Sequence, residues 1–444
     1  MKSQRTGQLN KKLLTLALFY LIITIGLVTI QKPPIPTARA VEQGQKAVAI
    51  AKPAAVIVIS VVSAYVSWTF IDDYLYQVGL GPSPLLIRTS SFGSGFTVNP
   101  EGYIITNGHV VNAWQSELTK YYGLFLSYLY TLMLANAQAG YPWSFDFNQW
   151  LAWLLEDYTK PTSEYHVTVT DYNVQAYVGV GSVVSGLGNL GKLYSAQIVD
   201  TKPAESWDLA LLKVTQSNMP TVLLGDSSQL TVGQTIYAIG YPGVVLFHDF
   251  LNEEQTMEPS VTSGVISAFR QTTDGSPAIQ TDAAITHGNS GGMAIDLQGK
   301  VVGVTTFGSL TEEGYDAPGF NFLRPSSLVQ SLLNANGVEN EQGPTDEAFE
   351  EGLTLFWDHH YSASIQKFQQ ALNLFPGHPD AQHYVTEAQA AIARGEDVPL
   401  GIGIELWMWA LIGVIVVGAV VVLVVIMRAR ILSRRPKTMP PPLA

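Results

Sequence analysis

Three short segments carry the side chains that nucleophilic hydrolysis requires. They are Thr106-Asn107-Gly108-His109-Val110-Val111, Trp207-Asp208-Leu209-Ala210-Leu211-Leu212 and Thr286-His287-Gly288-Asn289-Ser290-Gly291-Gly292. A serine hydroxyl is a poor nucleophile at neutral pH, so it needs a base within hydrogen-bond reach. An imidazole serves when a buried carboxylate fixes its tautomer and stabilises the cation that forms. His109, Asp208 and Ser290 supply these three groups. The glycines around Ser290 have a reason of their own. An acyl-transfer intermediate carries an oxyanion, and the turn that aims backbone N–H donors at it needs conformations glycine adopts cheaply. Gly288, Asn289 and Ser290 are the expected oxyanion-hole residues, with the N–H groups of Gly288 and Ser290 as the natural donors.

Each segment is a weak or moderate signal alone; together, in the order His…Asp…Ser, they point to the triad of the two-barrel serine peptidases. Subtilisins run Asp…His…Ser and α/β-hydrolases Ser…Asp…His. In the two-barrel arrangement the residue six before the serine lies at the base of the primary pocket. Here it is Ala284, which offers no charge to select Arg or Lys and implies a small to medium aliphatic side chain before the cut. Val304, Thr305, Thr306 and Phe307 are the expected edge strand that pairs with an extended substrate. This chemistry calls for no cofactor and no metal.

Such groups must be positioned by rigid structure, and the surrounding sequence reads as β. From Ala47 to about Phe307, short β-branched runs such as Ala55–Val62, Val167–Thr170, Ala196–Val199, Thr235–Ile239, Val261–Ala268 and Lys300–Thr306 alternate with glycine and polar turns. That density predicts an all-β barrel or sandwich rather than βα units. Residues 113–162 interrupt it with an aromatic-rich, helical texture, read as an insertion between strands. Ser326–Asn336 reads as an amphipathic helix closing the domain. From Thr345 the texture is wholly helical. Gly352, Tyr361, Phe368, Ala371 and Pro376 fall at the small and aromatic positions of a 34-residue tetratricopeptide unit, with Ser364 where alanine is usual and Asp380–Arg394 as a capping helix. One repeat and a cap cannot bury both helical faces, so the unit is expected to lean on the protease domain or on another copy.

Composition sets the compartment. The 444 residues contain no cysteine, which excludes disulfides, Cys-ligated zinc and a Cys nucleophile. Leu13–Ile30 is an uncharged run of 18 residues preceded by Lys2, Arg5, Lys11 and Lys12, and Leu406–Met427 one of 22 residues followed by Arg428, Arg430, Arg434, Arg435 and Lys437. Both are long enough to cross a bilayer, and their basic outer flanks put both termini in the cytoplasm. Between Gln31 and Ile404 stand 15 basic and 35 acidic residues, a formal charge of 15 − 35 = −20; such a surface does not suit nucleic acid. The rival to a retained N-terminal anchor is a signal peptide cut after Ala40, at Ala38-Arg39-Ala40. The expected division is therefore 1–40 basic start, anchor and Pro-rich linker; 41–340 protease domain; 341–400 tetratricopeptide-like unit; 405–427 membrane helix; 428–444 basic tail.

GSGF (93–96), TNGHVV (106–111), DLALLKV (208–214), AIGYPG (238–243), SVTSGVIS (260–267) and TDAAITHGNSGG (281–292) together resemble the HtrA/DegP-type serine proteases. The resemblance covers roughly Ala47 to Leu333. It implies a mainly β fold, a trypsin-like double β-barrel, with ATP-independent endopeptidase activity on unfolded or damaged proteins, quality control outside the cytoplasm, and homotrimers. Four features depart from it: His287 and Met293 stand where proline is usual, the helical insertion after His109 is unusual, and a tetratricopeptide-like unit with a second membrane span stands where a PDZ domain would follow. A protein partner held through that unit is expected in place of PDZ recognition. The competing class is a non-catalytic membrane receptor or scaffold built on a protease fold.

Overall fold

The computed structural model describes residues 43–68, 85–111, 167–180, 193–204, 206–243, 258–310, 316–400 and 402–433. The N-terminal apolar run and the 113–162 insertion lie outside these residues.

Twelve strands form two closed six-stranded barrels. The first contains β1 (Ala55–Trp68), β2 (Leu85–Asn99), β3 (Tyr103–Thr106), β4 (Val167–Val180), β5 (Tyr194–Lys202) and β6 (Leu209–Val214), in the order β1-β2-β3-β6-β5-β4. The second contains β7 (Thr235–Gly240), β8 (Ser260–Gln271), β9 (Pro277–Thr281), β10 (Met293–Ile295), β11 (Val301–Leu310) and β12 (Asp316–Pro325), in the order β10-β11-β12-β9-β8-β7. Every neighbouring pair is antiparallel.

The apolar runs are continuous rather than alternating because the strands near the seam bury both faces. In β6, Ala210, Leu212 and Val214 fill the first barrel with Val56, Val58 and Ile104. The alternate residues Leu209 and Leu211 join a second cluster with Ile57, Phe96, Ile239, Met293 and Val301, where the two barrels meet. A third cluster, including Ile236, Ile266, Ile279, Val302 and Leu323, fills the second barrel. The helix expected near Ser326 is present as α3 (Ser326–Ala335), numbered after α1 (Gln43–Ala51) and the single turn α2 (Gly108–Val111), and its Leu328, Val329, Leu332 and Leu333 seal the seam.

α1 differs from the linker-then-strand texture expected around Ala47. Alanine favours helix, and the segment is amphipathic in an unusual sense, with both faces covered. Ala47 and Ala51, one helical turn apart, sit in the inter-barrel core. Ala49 and Ile50 pack against the C-terminal helices. A Cβ on Gly44 would lie 2.0 Å from the Tyr237 hydroxyl, so any larger residue there would have to displace that ring.

Three helices follow the barrels, α4 (Pro344–Trp357), α5 (Tyr361–Leu374) and α6 (Ala381–Ala393). Gly352 lies under the Phe368 ring, where a Cβ would be 2.6 Å from Cε1, and Phe368 stacks on Tyr384 at 5.3 Å. The three helices lean on the barrels. Asp346 accepts from Thr221 N at 2.8 Å, Thr221 Oγ1 at 2.7 Å and Gly343 N at 2.8 Å. Phe375 belongs to the buried cluster of the first barrel, and Lys52 pairs with Asp380 at 3.0 Å. His378 is buried, caps α6 with Nδ1 accepting from Ala381 N at 3.1 Å, and is pushed down to about 3 by burial. The last element is α7 (Ile402–Ser433), whose stretch Ala410–Arg428 has a mean hydropathy of 3.3 and is the one helix among the described residues long and apolar enough to cross a membrane.

Candidate active site

Antiparallel pairing of β3 with β6 sets Thr106 opposite Ala210. The end of one strand thus lies beside the start of the other, so His109, three residues past Thr106, and Asp208, two before Ala210, emerge at the same edge. His109 Nδ1 lies 3.0 and 2.9 Å from Asp208 Oδ1 and Oδ2, and its own N–H donates to Oδ1 at 3.0 Å. With Nδ1 facing a carboxylate, the ring proton belongs there, and Nε2 keeps its lone pair as a base.

Asp208 is held from all sides. Its N–H donates to Pro203 O at 2.9 Å, its carbonyl accepts from Asn107 Nδ2 at 2.7 Å, and Thr306 Oγ1 donates to Oδ2. Its φ is +49°, a left-handed conformation that costs on the order of 1–3 kcal/mol for such a residue. Burial acts to raise its carboxyl, but the bonds from His109 and Thr306 and the charge available on His109 outweigh that and hold it below the usual carboxylate range.

Ser290 sits in the turn leading into β10. Gly288 and Gly291 have φ of +97° and +88°, accessible at little cost only to glycine. The carbonyls of this turn are clamped one by one. His287 O accepts from Gly243 N at 2.7 Å, Gly288 O from Ser94 Oγ at 2.7 Å, Asn289 O from Gly292 N at 2.8 Å, and Ser290 O from Ser94 N at 2.8 Å. In a planar trans peptide the N–H points opposite to the carbonyl. Fixing the His287 and Asn289 carbonyls therefore fixes the directions of the Gly288 and Ser290 N–H groups, the two expected oxyanion donors. Ser290 Oγ donates to Thr306 O at 3.0 Å in this conformation rather than to the imidazole.

The substrate-side expectations need two corrections. Val304 and Thr305 do not lie on a free edge: Val304 pairs with both Met293 and Arg324, while Thr305 N donates to Gly292 O and Thr305 O accepts from Gly291 N, each at 2.8 Å. The tight glycine turn consumes that edge, so open strand begins only at Thr306 and Phe307. Thr306 is itself a partner of Asp208. Ala284 is exposed, with its carbonyl taking a 2.8 Å bond from Thr262 Oγ1, and does not floor a closed pocket. Sequence reasoning also gave no role to Ser94, fully buried between the barrels; its signal was the GSGF motif itself. Among the described residues no group of three His, Asp or Glu is placed to hold a metal.

Residues 93–304 match the family model described as the trypsin-like peptidase domain. The match spans His109, Asp208 and Ser290. Among curated proteins, the probable periplasmic serine endoprotease DegP-like of Halomonas elongata is 38% identical over 167 residues, covering 36% of this chain and 31% of that protein. The DegP-like protein of Chlamydia pneumoniae is 28% identical over 246 residues, covering 54% and 33%. The chain thus spans about a third of the length of these relatives. Among solved structures, the HtrA-type protease AlgW with decapeptide is 22% identical with a TM-score of 0.38, covering 66% of this chain and 67% of that one. Residues 93–304 are thus similar to a trypsin-like peptidase domain, and parts of the chain to DegP-like serine endoproteases.

Proposed function

We propose that the chain is a membrane-anchored serine endopeptidase that cleaves unfolded or damaged proteins outside the cytoplasm. The observation that carries this is the His109–Asp208 contact beside a glycine turn in which the His287, Gly288, Asn289 and Ser290 carbonyls are each hydrogen-bonded, which aims the Gly288 and Ser290 N–H groups. In the proposed reaction Ser290 Oγ turns from Thr306 O and attacks the scissile carbonyl while His109 Nε2 takes its proton. The oxyanion is held by the Gly288 and Ser290 N–H groups. His109 returns the proton to the leaving amine, and water then hydrolyses the acyl-enzyme by the same route, with Asp208 ionised throughout. Phe307 and the residues after it in β11 are the proposed strand for substrate pairing.

The membrane part of the proposal rests on α7 and its basic flank from Arg428 onward; a second, N-terminal span and cytoplasmic termini are proposed with it. Periplasmic relatives support an extracytoplasmic protease domain. The tetratricopeptide-like unit α4–α6 is assigned a docking role. Its contacts with α1 and the first barrel favour its own chain as the first thing it holds. Deleting Thr345–Arg394 is then expected to destabilise the barrels rather than to spare small-peptide cleavage. Homotrimer assembly is part of the proposal and is read from the mass of the detergent-solubilised chain.

The deciding test is labelling of the solubilised full chain with a serine-directed fluorophosphonate, alongside casein digestion, with Ser290→Ala as control. Labelling and digestion that vanish in Ser290→Ala are expected. Absence of labelling in the unmutated chain would instead favour the non-catalytic receptor.

A further inference from the structure

We propose that Ser94, a residue of the first barrel, is the positioning residue that holds the oxyanion-binding turn of the second barrel in its receptive shape; this rests on the peptidase reading above. Ser94 is 0% exposed and makes four hydrogen bonds at the junction of the barrels. Its N–H donates to Ser290 O at 2.8 Å and its carbonyl accepts from Thr106 Oγ1 at 2.7 Å. Its hydroxyl accepts from Tyr241 N at 2.8 Å and donates to Gly288 O at 2.7 Å. One side chain thus grips the peptide between the two oxyanion donors, and its backbone grips the carbonyl of the nucleophile.

The direction of the hydroxyl proton is not free. Tyr241 N–H occupies the acceptor side of Oγ, which leaves the O–H to point at Gly288 O. The other turn carbonyls are held by groups of the second barrel or by backbone, so Gly288 O is the one that depends on a side chain from across the cleft. Close packing enforces the contact from both directions. A Cβ on Gly240 would lie 2.8 Å from Ser94 Oγ, and one on Gly291 2.2 Å from Ser94 O. Without the hydroxyl the 288–289 peptide, which joins the two donor-bearing peptides, would be held through the Asn289 N–H bond to Thr286 O at 3.0 Å alone, and the spacing of the Gly288 and Ser290 donors would loosen. Donors aimed in advance are what such a site contributes to the transition state.

The test is Ser94→Ala in the detergent-solubilised full chain, assayed on a chromogenic peptide and by binding of a peptide boronate that mimics the tetrahedral adduct. The expected result is a fall in kcat of roughly 10-fold or more, short of the roughly 10²–10³-fold that follows outright loss of an oxyanion donor. KM should stay within about twofold, and boronate affinity should weaken by the same factor as kcat/KM. Ser94→Cys keeps the volume with a weaker donor and should fall between the two; it carries the test if the alanine variant does not fold. The proposal is overturned if folded Ser94→Ala or Ser94→Cys keeps kcat within twofold of the unmutated chain, or if kcat falls while boronate affinity is unchanged. An unmutated chain that neither cleaves the peptide nor binds the boronate would overturn the peptidase reading first, and this one with it.

Discussion

Asp208 in the cleft and Asp346 under the helical unit are both buried carboxylates, 3% and 6% exposed, and each accepts from three donors. Burial is the largest influence on both, acting to raise the carboxyl. The outcomes nevertheless have opposite signs. Asp208 is held below the usual range, whereas Asp346 is pushed up to about 6. The difference lies in the partners. Asp208 faces an imidazole that can carry charge, while Asp346 faces only neutral donors and has the carboxyl of Glu350 nearby. At Asp346 the neutral hydrogen bonds do not offset the desolvation, whereas at Asp208 they are joined by a partner that can become a cation. The cleft thus keeps an ionised carboxylate beside an imidazole, and the seam under the helical unit is built to accept a proton.

The harshest way to break the comparison is to neutralise the cleft. Asp208→Asn should lower kcat by about 10⁴-fold with the fold intact, because the amide no longer fixes the imidazole tautomer. Ser290→Ala and His109→Ala should each reduce peptide turnover to background, and the double variant should be no worse than either. Turnover of purified protein, with circular dichroism as the check on folding, decides this; substantial activity in Ser290→Ala would sink the triad.

The same operation in the seam should touch stability and leave chemistry alone. Asp346→Ala removes the acceptor of Thr221 N and Gly343 N, each buried donor costing about 1–3 kcal/mol when left unsatisfied, while Thr221 Oγ1 keeps Glu341 O at 3.2 Å. The melting temperature should fall while kcat per folded molecule stays unchanged. A loss of kcat without a change in melting would mean that the seam is coupled to the cleft.

Titration sharpens the contrast further. A folded value raised from 3.8 to about 6 means that the stability Asp346 contributes is fully present below pH 3.8 and lost as pH rises through about 6. Asp208, held low, contributes above 3.8 and loses that contribution as pH falls through its lowered value. His378, pushed from 6.5 to about 3, contributes above 6.5 and loses it as pH falls toward 3. In Asp346→Asn only the first of these disappears. The melting temperature of the unmutated chain minus that of Asp346→Asn should therefore decline between pH 4 and 6 and be flat from 6.5 to 8. A difference that rises over pH 4 to 6 would reverse the assignment.

Much of the cleft was legible in the sequence because its information is local. Gly288-Asn289-Ser290-Gly291-Gly292 announces a turn that only glycines can make, and the runs around His109 and Asp208 announce strands buried on two faces. The docking seam was not legible, since Thr221 meets Asp346 from 125 residues away and neither has a distinctive neighbourhood. Ser94 and Thr306 fell between these cases: their motifs were visible, but a hydroxyl's role depends on which carbonyl or carboxylate the fold brings to it. The edge-strand expectation failed at Val304 and Thr305 because the turn that presents Ser290 folds back on that edge. α1 was missed because an alanine-rich stretch ahead of β-branched residues has no apolar face of its own to declare; both its faces are made by its surroundings.

That double-faced helix leads to the smallest predicted effect. α1 is wedged between the inter-barrel core, through Ala47 and Ala51, and the helical unit, through Ala49 and Ile50. Two polar contacts pin its lower end and flank: Lys46 Nζ lies 4.8 Å from the centre of the Trp357 ring, and Lys52 pairs with Asp380 at 3.0 Å with both side chains partly exposed, 22% and 15%. A pair of this kind contributes at most about 1 kcal/mol, and less in salt. In a domain of this size that corresponds to roughly 2–4 °C of melting temperature. Lys52→Glu should lower melting by about that amount or slightly more, because it sets two carboxylates face to face. Lys52→Glu with Asp380→Lys should recover most of the loss, and the gap between single and double variants should shrink as salt is raised from 0.05 to 0.5 M. Peptide turnover should be unaffected, since the pair touches neither the triad nor the turn that presents Ser290. If the single variant melts like the unmutated chain at low salt, α1 is held by its alanine and isoleucine contacts alone, and the ion pair is incidental to the seam.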